Sequence, residues 1–370
     1  MFTEDMKKMN NVFYNEGFSF RLVGGAVRDY LNNKTPNDFD FSTNAKPQQI
    51  IDVCEKYNFR YIETGIEHGT ITIILDEPYE VTTLRIDSET DGRFAIVEWT
   101  NNWYEDAKRR DFTINAMSMD FENNLYDYFN GKNDLQNNVV RFVGDPQERI
   151  QEDYLRILRF FRFYCKVMNK NNKVHDDYDF VFKQNFDKFF ENVHASRIWK
   201  EMEKILVHEN SFHVLKKMNE IGFLGRLGLD LNEQITTLSQ YNDPILSLSS
   251  LVYDLEKVHK WVFKNDHKNK LNFLSQKWSF DTYLDAKKLF FNKNTKNKDW
   301  VVLALILDDK IVWAESLKNW DIPTFPINGN DLLEKGYKKS KHLGDILNYV
   351  KTKWMDSDFT LSRNDLLEML

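Results

Sequence analysis

Leu22-Val23-Gly24-Gly25-Ala26-Val27-Arg28-Asp29 runs from an apolar strand pattern through two glycines into a helical one, and nine residues further on comes Asp38-Phe39-Asp40-Phe41. Paired glycines between strand and helix let backbone N–H groups approach an anion, and the new helix points its positive end the same way. Arg28, one turn in, is placed as a charge clamp. An ordinary tight turn would use the same two glycines, and the stretch is neither a Walker loop nor a GxGxxG fingerprint. The acidic segment adds chemistry. On a strand, residues two apart share a face with Cα atoms about 6.5–7 Å apart. The spacing therefore predicts converging Asp38 and Asp40 carboxylates, with Phe39 and Phe41 buried behind them. Two like charges on one face destabilise a sheet unless a cation neutralises them. Mg²⁺ suits such a pair, being a hard ion held by one or two carboxylates together with substrate phosphates; a solvated strand end is the alternative. A third carboxylate, Glu80, is offered by the neighbouring strand Tyr79-Glu80-Val81-Thr82-Thr83-Leu84-Arg85, where a surface position is an equal reading.

Outward from these segments, the chain shows two regimes. Up to about residue 142 short β-rich runs alternate with helical stretches, and strands are expected at Ser19–Val23, Phe39–Phe41, Thr70–Leu75, Tyr79–Leu84, Ala95–Glu98 and Leu125–Asp127. Beyond residue 145 apolar residues recur at helical spacing, as in Leu155, Leu158 and Phe161, or Ile198, Met202 and Leu206. Polar breaks fall at Asn169–Lys173, Leu231–Thr236 and Pro323–Asn330. An α+β arrangement follows: a small mixed-sheet head and then an elongated all-helical remainder. With 370 residues, 42% hydrophobic and 29% charged, the chain is globular rather than disordered, and 14 Gly with 7 Pro exclude collagen-like or Pro/Gly-rich sequence. No apolar run approaches the roughly 20 residues of a membrane span. The charged N-terminus carries no visible targeting segment, and two isolated cysteines exclude a disulfide framework. A soluble protein of the cytoplasm or an equivalent reducing compartment is expected. The net charge of −7 is unevenly spread, about −10 over residues 1–150, whereas residues 260–300 hold ten Lys against four Asp. Anion binding depends on such local patches rather than the total, although a lysine run alone also describes a solvated face.

Two further segments carry recognition chemistry. Arg109-Arg110-Asp111-Phe112-Thr113-Ile114-Asn115-Ala116 sets two arginine forks and a hydroxyl acceptor before an apolar stretch, suited to phosphate and ribose or, equally, to surface pairing. Glu152-Asp153-Tyr154-Leu155-Arg156-Ile157-Leu158-Arg159-Phe160-Phe161-Arg162-Phe163 predicts one helix, with Asp153, Arg156, Arg159 and Arg162 in a row. A salt-bridge ladder is the plain reading. The sharper one is a Watson–Crick mimic: the carboxylate accepts from the exocyclic amine of C or A, and the guanidinium donates to the ring nitrogen beside it. U or G would leave buried polar groups unpaired, and sites of that kind discriminate by about 10⁴–10⁵.

Together, GG-x-VRD, DxD, RRDFTINA and EDxxR with two more arginines at three-residue steps resemble the class II tRNA nucleotidyltransferase (CCA-adding enzyme) and bacterial poly(A) polymerase family. The resemblance is closest over residues 20–165. It points to the alphaproteobacterial and mitochondrial branch at Thr82-Thr83-Leu84-Arg85-Ile86-Asp87, Thr90-Asp91-Gly92-Arg93 and Gln151-Glu152-Asp153-Tyr154-Leu155-Arg156. Phe325-Pro326-Ile327-Asn328-Gly329-Asn330-Asp331-Leu332 and Trp354 look like the family's tail segment. Asn32-Asn33-Lys34-Thr35-Pro36 departs from the family's usual ending of the helix after VRD.

The resemblance implies a head (1–142), a neck that recognises the base (143–206), a body (207–259) and a tail that binds tRNA (260–370). It implies Asp38 and Asp40 as catalytic Mg²⁺ ligands, and Gly25 and Arg28 on the triphosphate. Arg110 and Asp111 would contact sugar or phosphates, and Asp153 and Arg156 would read the base with support from Arg159 and Arg162. The implied reaction adds C, C and A to the tRNA acceptor arm from CTP and ATP by two-metal transfer, releasing pyrophosphate. No template and no protein partner are implied. The long charged segment Arg85–Arg109 corresponds to the flexible loop that CC-only enzymes lack. A poly(A) polymerase of the same fold and a non-catalytic RNA-binding protein on a degenerate head are the competing expectations. His175-Asp176 stands without further ligand histidines and is read as a turn.

Overall fold

The structure is a computed structural model describing residues 2–36, 38–91, 94–168, 178–262, 264–292, 298–339 and 341–370. The polar break Asn169–Lys173, the His175-Asp176 pair, Gly92, Arg93, Lys293 and Lys296 lie outside those residues. The chain divides into two compact units: Met1–Ser247 with Leu251–Phe263, and Leu248–Ser250 with Lys264–Leu370.

The first unit begins with helix α1 (Glu4–Asn15) and strand β1 (Phe20–Val23), then α2 (Gly25–Leu31), β2 (Asp40–Thr43) and α3 (Pro47–Lys56). Strands β3 (Arg60–Gly65), β4 (Thr70–Ile74) and β5 (Pro78–Thr83) follow. A hairpin, β6 (Arg85–Asp91) with β7 (Phe94–Trp99), then leads to α4 (Trp103–Lys108), β8 (Ser118–Met119) and β9 (Leu125–Tyr126). Seven strands form one sheet in the order β3-β4-β5-β2-β1-β8-β9, with β6 and β7 paired apart. Among its described residues the sheet is antiparallel except at β2 and β5, which run parallel with Asp40 opposite Glu80. The mixed-sheet head is thus as expected, while β3, β6 and β8 go beyond the expected strands. Within Arg85–Arg109, expected as a loop, the described residues form two paired strands and a helix.

The fourth-placed strand, β2, is fixed by its aromatic side. Phe41 is fully buried and stacks on Phe20 with centroids 4.8 Å apart, and Phe20 stacks on Phe13 of α1 at 4.7 Å. Because side chains alternate along a strand, burying Phe41 turns Asp40 to the other side. α2 ends at Leu31, where Asn33 takes a left-handed φ of 54° and Lys34 N–H donates to the Asp29 carbonyl at 2.8 Å. Asn tolerates that conformation, so the unusual Asn32-Asn33-Lys34 stretch still closes the helix.

After α5 (Gly131–Gln136), the helices α6 (Pro146–Glu152), α7 (Arg156–Val167), α8 (Asp179–Asn192) and α9 (Ala195–Leu206) carry the chain onward. Nine of the twelve residues of α7 are buried, and α7 packs on α9, which buries Ile198, Trp199, Met202, Ile205 and Leu206. Past residue 126 the described residues form helices and turns, with isolated bridges only.

The second unit is helical, with a core of Ile327, Val350, Trp354, Met355 and Leu366. Phe325 lies 5.3 Å from Trp354, and Asn328 and Asp331 form a capping box for the helix Gly329–Glu334. Two lysines of the 260–300 stretch are already engaged: Lys287 with Asp358 at 2.9 Å and Lys288 with Asp356 at 2.7 Å. Among the described residues no helix is long and apolar enough to cross a membrane.

Candidate active site

One cavity of about 490 Å³ in the first unit gathers the four sequence segments. Gly25, Arg28, Asp38, Asp40, Arg110, Asp111, Asp153, Arg156, Arg159 and Arg162 all line it, with Gly24, Asp29, Arg109, Asn115, Lys166, Arg197 and Lys204. Glu80 lies on an adjoining cavity shared with Asp38 and Asp40.

The glycine turn is specified at Gly24. Its φ of +67° disfavours any side chain, and an added Cβ would come 3.0 Å from Nη1 of Arg110. Its N–H is bound to the Met117 carbonyl at 3.1 Å, which anchors the turn to β8. Arg28 is buried and immobilised: Nη1 donates to Asn115 Oδ1 at 2.6 Å and Nε to Asp29 Oδ1 at 2.8 Å.

Asp38 precedes β2 and Asp40 opens it, so the pair straddles the strand start rather than lying within one strand. Asp40 is open to the cavity, yet the protein surrounding it on its other sides removes enough water to raise its carboxyl. Glu80 and Asp38 raise it further against the pull of Arg110, and it is pushed up to about 6. A divalent cation would relieve this clustered negative charge, so the donor set fits one. Among the described residues no three of His, Cys, Asp and Glu converge as a ready-made metal site. Cation binding by the two aspartates therefore calls for further oxygens, such as substrate phosphates.

The arginines are fixed by carboxylates. Arg109 and Arg110 both pair with buried Asp106, at 2.8 and 3.2 Å. Burial alone would raise the Asp106 carboxyl, but Arg110 and Arg109 outweigh it and hold it below the ordinary value. Asp111 behaves alike: burial is opposed by Arg159, whose Nε donates at 2.8 Å, and by Asn115, and the carboxyl ends lower than usual. Glu201 of α9 takes Arg162 and lies 3.7 Å from Arg159.

The expected single helix from Asp153 to Arg162 is corrected by the structure. Asp153 caps α6 in an extended conformation, and its Oδ1 accepts from Leu155 N–H at 3.1 Å. α7 starts only at Arg156. A short Asp side chain that binds the backbone two residues on competes with helix continuation, which is the physical reason for the break. Asp153 pairs with Arg197 of α9 through two bonds of 3.1 and 2.7 Å, while Arg156 pairs with Glu152 at 2.5 Å and donates to the Arg149 carbonyl at 2.6 Å. Asp153 and Arg156 nevertheless line the same cavity.

Sequence reasoning passed over Asn115, Arg197 and Glu201. Asn115 sits inside the RRDFTINA segment, and the signal for the other two was the spacing of Arg197 and Glu201, one helical turn apart on an α9 that also carries Lys200, Glu203 and Lys204.

Fold and site together define a nucleotidyltransferase head on a helical support. Residues 20–141 match the poly A polymerase head domain. Over 393 residues the chain is 34% identical to CCA tRNA nucleotidyltransferase 1, mitochondrial, of Mus musculus, covering 100% of this chain and 90% of that protein. The CCA-adding enzyme of Pediococcus pentosaceus is 29% identical over 99% of this chain and 96% of its own. In fold the chain is similar to the Bacillus stearothermophilus CCA-adding enzyme in complex with CTP (TM-score 0.75, 22% identity, 96% of this chain and 94% of that chain). It is similar also to the Thermotoga maritima CCA-adding enzyme complexed with tRNA(CCA) (TM-score 0.70, 19% identity, 100% and 95%). The chain belongs to the CCA-adding tRNA nucleotidyltransferase family. Nucleotidyltransferases of this family generally use a divalent metal.

Proposed function

We propose that this chain adds C, C and A in turn to the 3′ end of tRNA from CTP and ATP, without a template, releasing pyrophosphate. One observation carries the reading: a chain 34% identical throughout to a CCA tRNA nucleotidyltransferase gathers two aspartates, a glycine turn and a fixed arginine row on one cavity. In this reading Asp38 and Asp40 hold Mg²⁺, which when bound supplies charge neutralisation for the phosphates and acidifies the attacking 3′-hydroxyl. Gly25 and Arg28 hold the triphosphate, and Arg110 draws negative charge toward the same corner. Asp111, saturated by Arg159 and Asn115, positions those groups beside the sugar.

Asp153 and Arg156 read the base. Arg197 and Glu152 fix their orientation, so a wrong base cannot be accommodated by swinging either side chain. Arg159 and Arg162 support them. Residues 1–142 are assigned to transfer, 143–206 to base recognition, and 207–259 and 260–370 to the acceptor arm. The lysine excess of 260–300 supports the last assignment.

The test is incubation of a CCA-less tRNA with all four nucleoside triphosphates, followed by sequencing of the product. Ends in CCA are expected. Runs of A without C would replace the proposal with poly(A) polymerase activity, and an unextended RNA would remove it.

A further inference from the structure

Beyond Arg162 the cavity continues to Lys166 and Lys204, two cations without a role in the reaction as proposed above. Lys166 completes the row on α7. Steps of three, three and four residues from Arg156 keep one helix face, and at roughly 1.5 Å per residue Lys166 lies about 15 Å along the axis from Arg156. Lys204 occupies the last turn of α9, the helix packed on α7.

The arginines and the lysines differ in their partners. Arg156, Arg159 and Arg162 each face a carboxylate, of Glu152, Asp111 and Glu201 respectively. Among the described residues neither Lys166 nor Lys204 has an ion-pair partner. The largest charges acting on Lys166 are those of Arg28, Asp29, Arg162 and Lys204, and the Asp29 carboxylate is already taken by Arg28 at 2.7 Å. Burial, followed by these cations, holds the Lys166 ammonium below the ordinary lysine value. Lys34 adds a further cation beside it, its Nζ donating to the Lys166 carbonyl at 3.4 Å. Cations are favoured near helix C-termini, which accounts for a lysine on either helix but not for two lysines, with no carboxylate partner among the described residues, converging on one cavity from α7 and α9.

We infer that Lys166 and Lys204 form a subsite for the terminal phosphates of the incoming nucleotide and for the pyrophosphate that leaves, extending the cradle of Gly24, Gly25 and Arg28. The inference rests on the transfer reaction proposed above. The 3′-oxygen of the RNA forms the new bond to the α-phosphorus and gives up its proton to solvent; the bond between the α-phosphorus and the bridging oxygen breaks, and the departing pyrophosphate carries away the electron pair. The lysines meet the charge that the leaving group gains, and no further reactant is needed.

The test uses the full chain and the Lys166→Met/Lys204→Met double variant, with Lys204→Met alone as a variant confined to an exposed position. Titration calorimetry with sodium pyrophosphate, without divalent cation, reads the subsite directly. The double variant is expected to weaken pyrophosphate binding and pyrophosphate product inhibition by about tenfold or more, and to raise KM for CTP alike, as for two lost charge-assisted bonds. KM for tRNA should not move, and Lys→Arg at both positions should restore binding. Unchanged pyrophosphate binding in the double variant overturns the inference. So does a rise in KM confined to tRNA, which would hand these lysines to the RNA backbone phosphates. The calorimetry needs no turnover, so a chain that binds pyrophosphate through the lysines but extends no tRNA would sink the proposed function and leave the subsite standing.

Discussion

The two sides of the cavity are built on opposite electrostatic terms. On the α7 side each arginine of the row is matched by a carboxylate, and Asp111 is held low by its partners. On the β2 side Asp38, Asp40 and Glu80 crowd together, and Asp40 is pushed up to about 6. The matched side is already fixed in place, so the base binding proposed for it would cost little reordering. The crowded side is destabilised until a cation arrives, so its strain is released only when the reacting groups assemble. In the proposed reading, recognition is thus prepared in advance, while catalysis waits on a second component.

The sharpest way to break this contrast is Asp40→Asn. Transfer is expected to fall by at least about a thousandfold, as for loss of a ligand to a catalytic cation, while the melting temperature stays level or rises because a repulsive charge is gone. A near-normal rate in a purified assay would place catalysis elsewhere. Next in size, Asp153→Ala or Arg156→Ala should lower the preference for CTP over UTP by about a hundredfold or more, from the unpaired-group penalty of a hydrogen-bonding pocket. Competition between the two nucleotides reads this directly, and an intact preference in both variants ends base reading by the pair.

Asp111→Asn probes the matched side through stability. It leaves Arg159 without its main counter-charge, and denaturant unfolding should report a loss of about 3 kcal/mol, the range for breaking a buried pair from one side. A change within experimental error would mean that the network is ornamental.

The smallest effect concerns pH. Asp40 is raised from 3.8 to about 6, so between those values the metal-free folded chain binds a proton that the unfolded chain has released. Its stability therefore declines as pH rises through that window. For activity the sign reverses, because a cation needs the ionised carboxylate. At limiting Mg²⁺ the rate should fall as pH drops through about 6, and saturating Mg²⁺ should move that limb to lower pH. A limb that ignores Mg²⁺ concentration would separate Asp40 from cation binding.

The head and the gathering of the glycine turn and the two aspartates on one cavity were legible because their signals are local. Phe41 and Asp40 alternate on a strand, and Gly24 obeys a φ that few residues share. β3 was hidden by weak alternation, with Ile62 exposed on a strand that otherwise carries Arg60, Tyr61 and Glu63. The break at Asp153 was missed because 3.6-residue periodicity continues across it, and only the Asp153–Leu155 turn reveals it. Arg197 and Glu201 answer partners some forty residues away, Asp153 and Arg162. No window of sequence pairs them; only the packing of α9 on α7 does.

That packing has a consequence for how this enzyme tolerates change. Arg197 steadies Asp153 while Glu201, one turn on, steadies Arg162 and Arg159. One inserted or deleted residue between them would swing the two apart by about 100° around the α9 axis. Only one of the two contacts would survive, and no side-chain substitution nearby would recover the other. The four-residue interval in α9 is therefore a ruler for the cavity proposed to hold the nucleotide, and length variation among descendants of this gene should spare it while accumulating in the turns on either side.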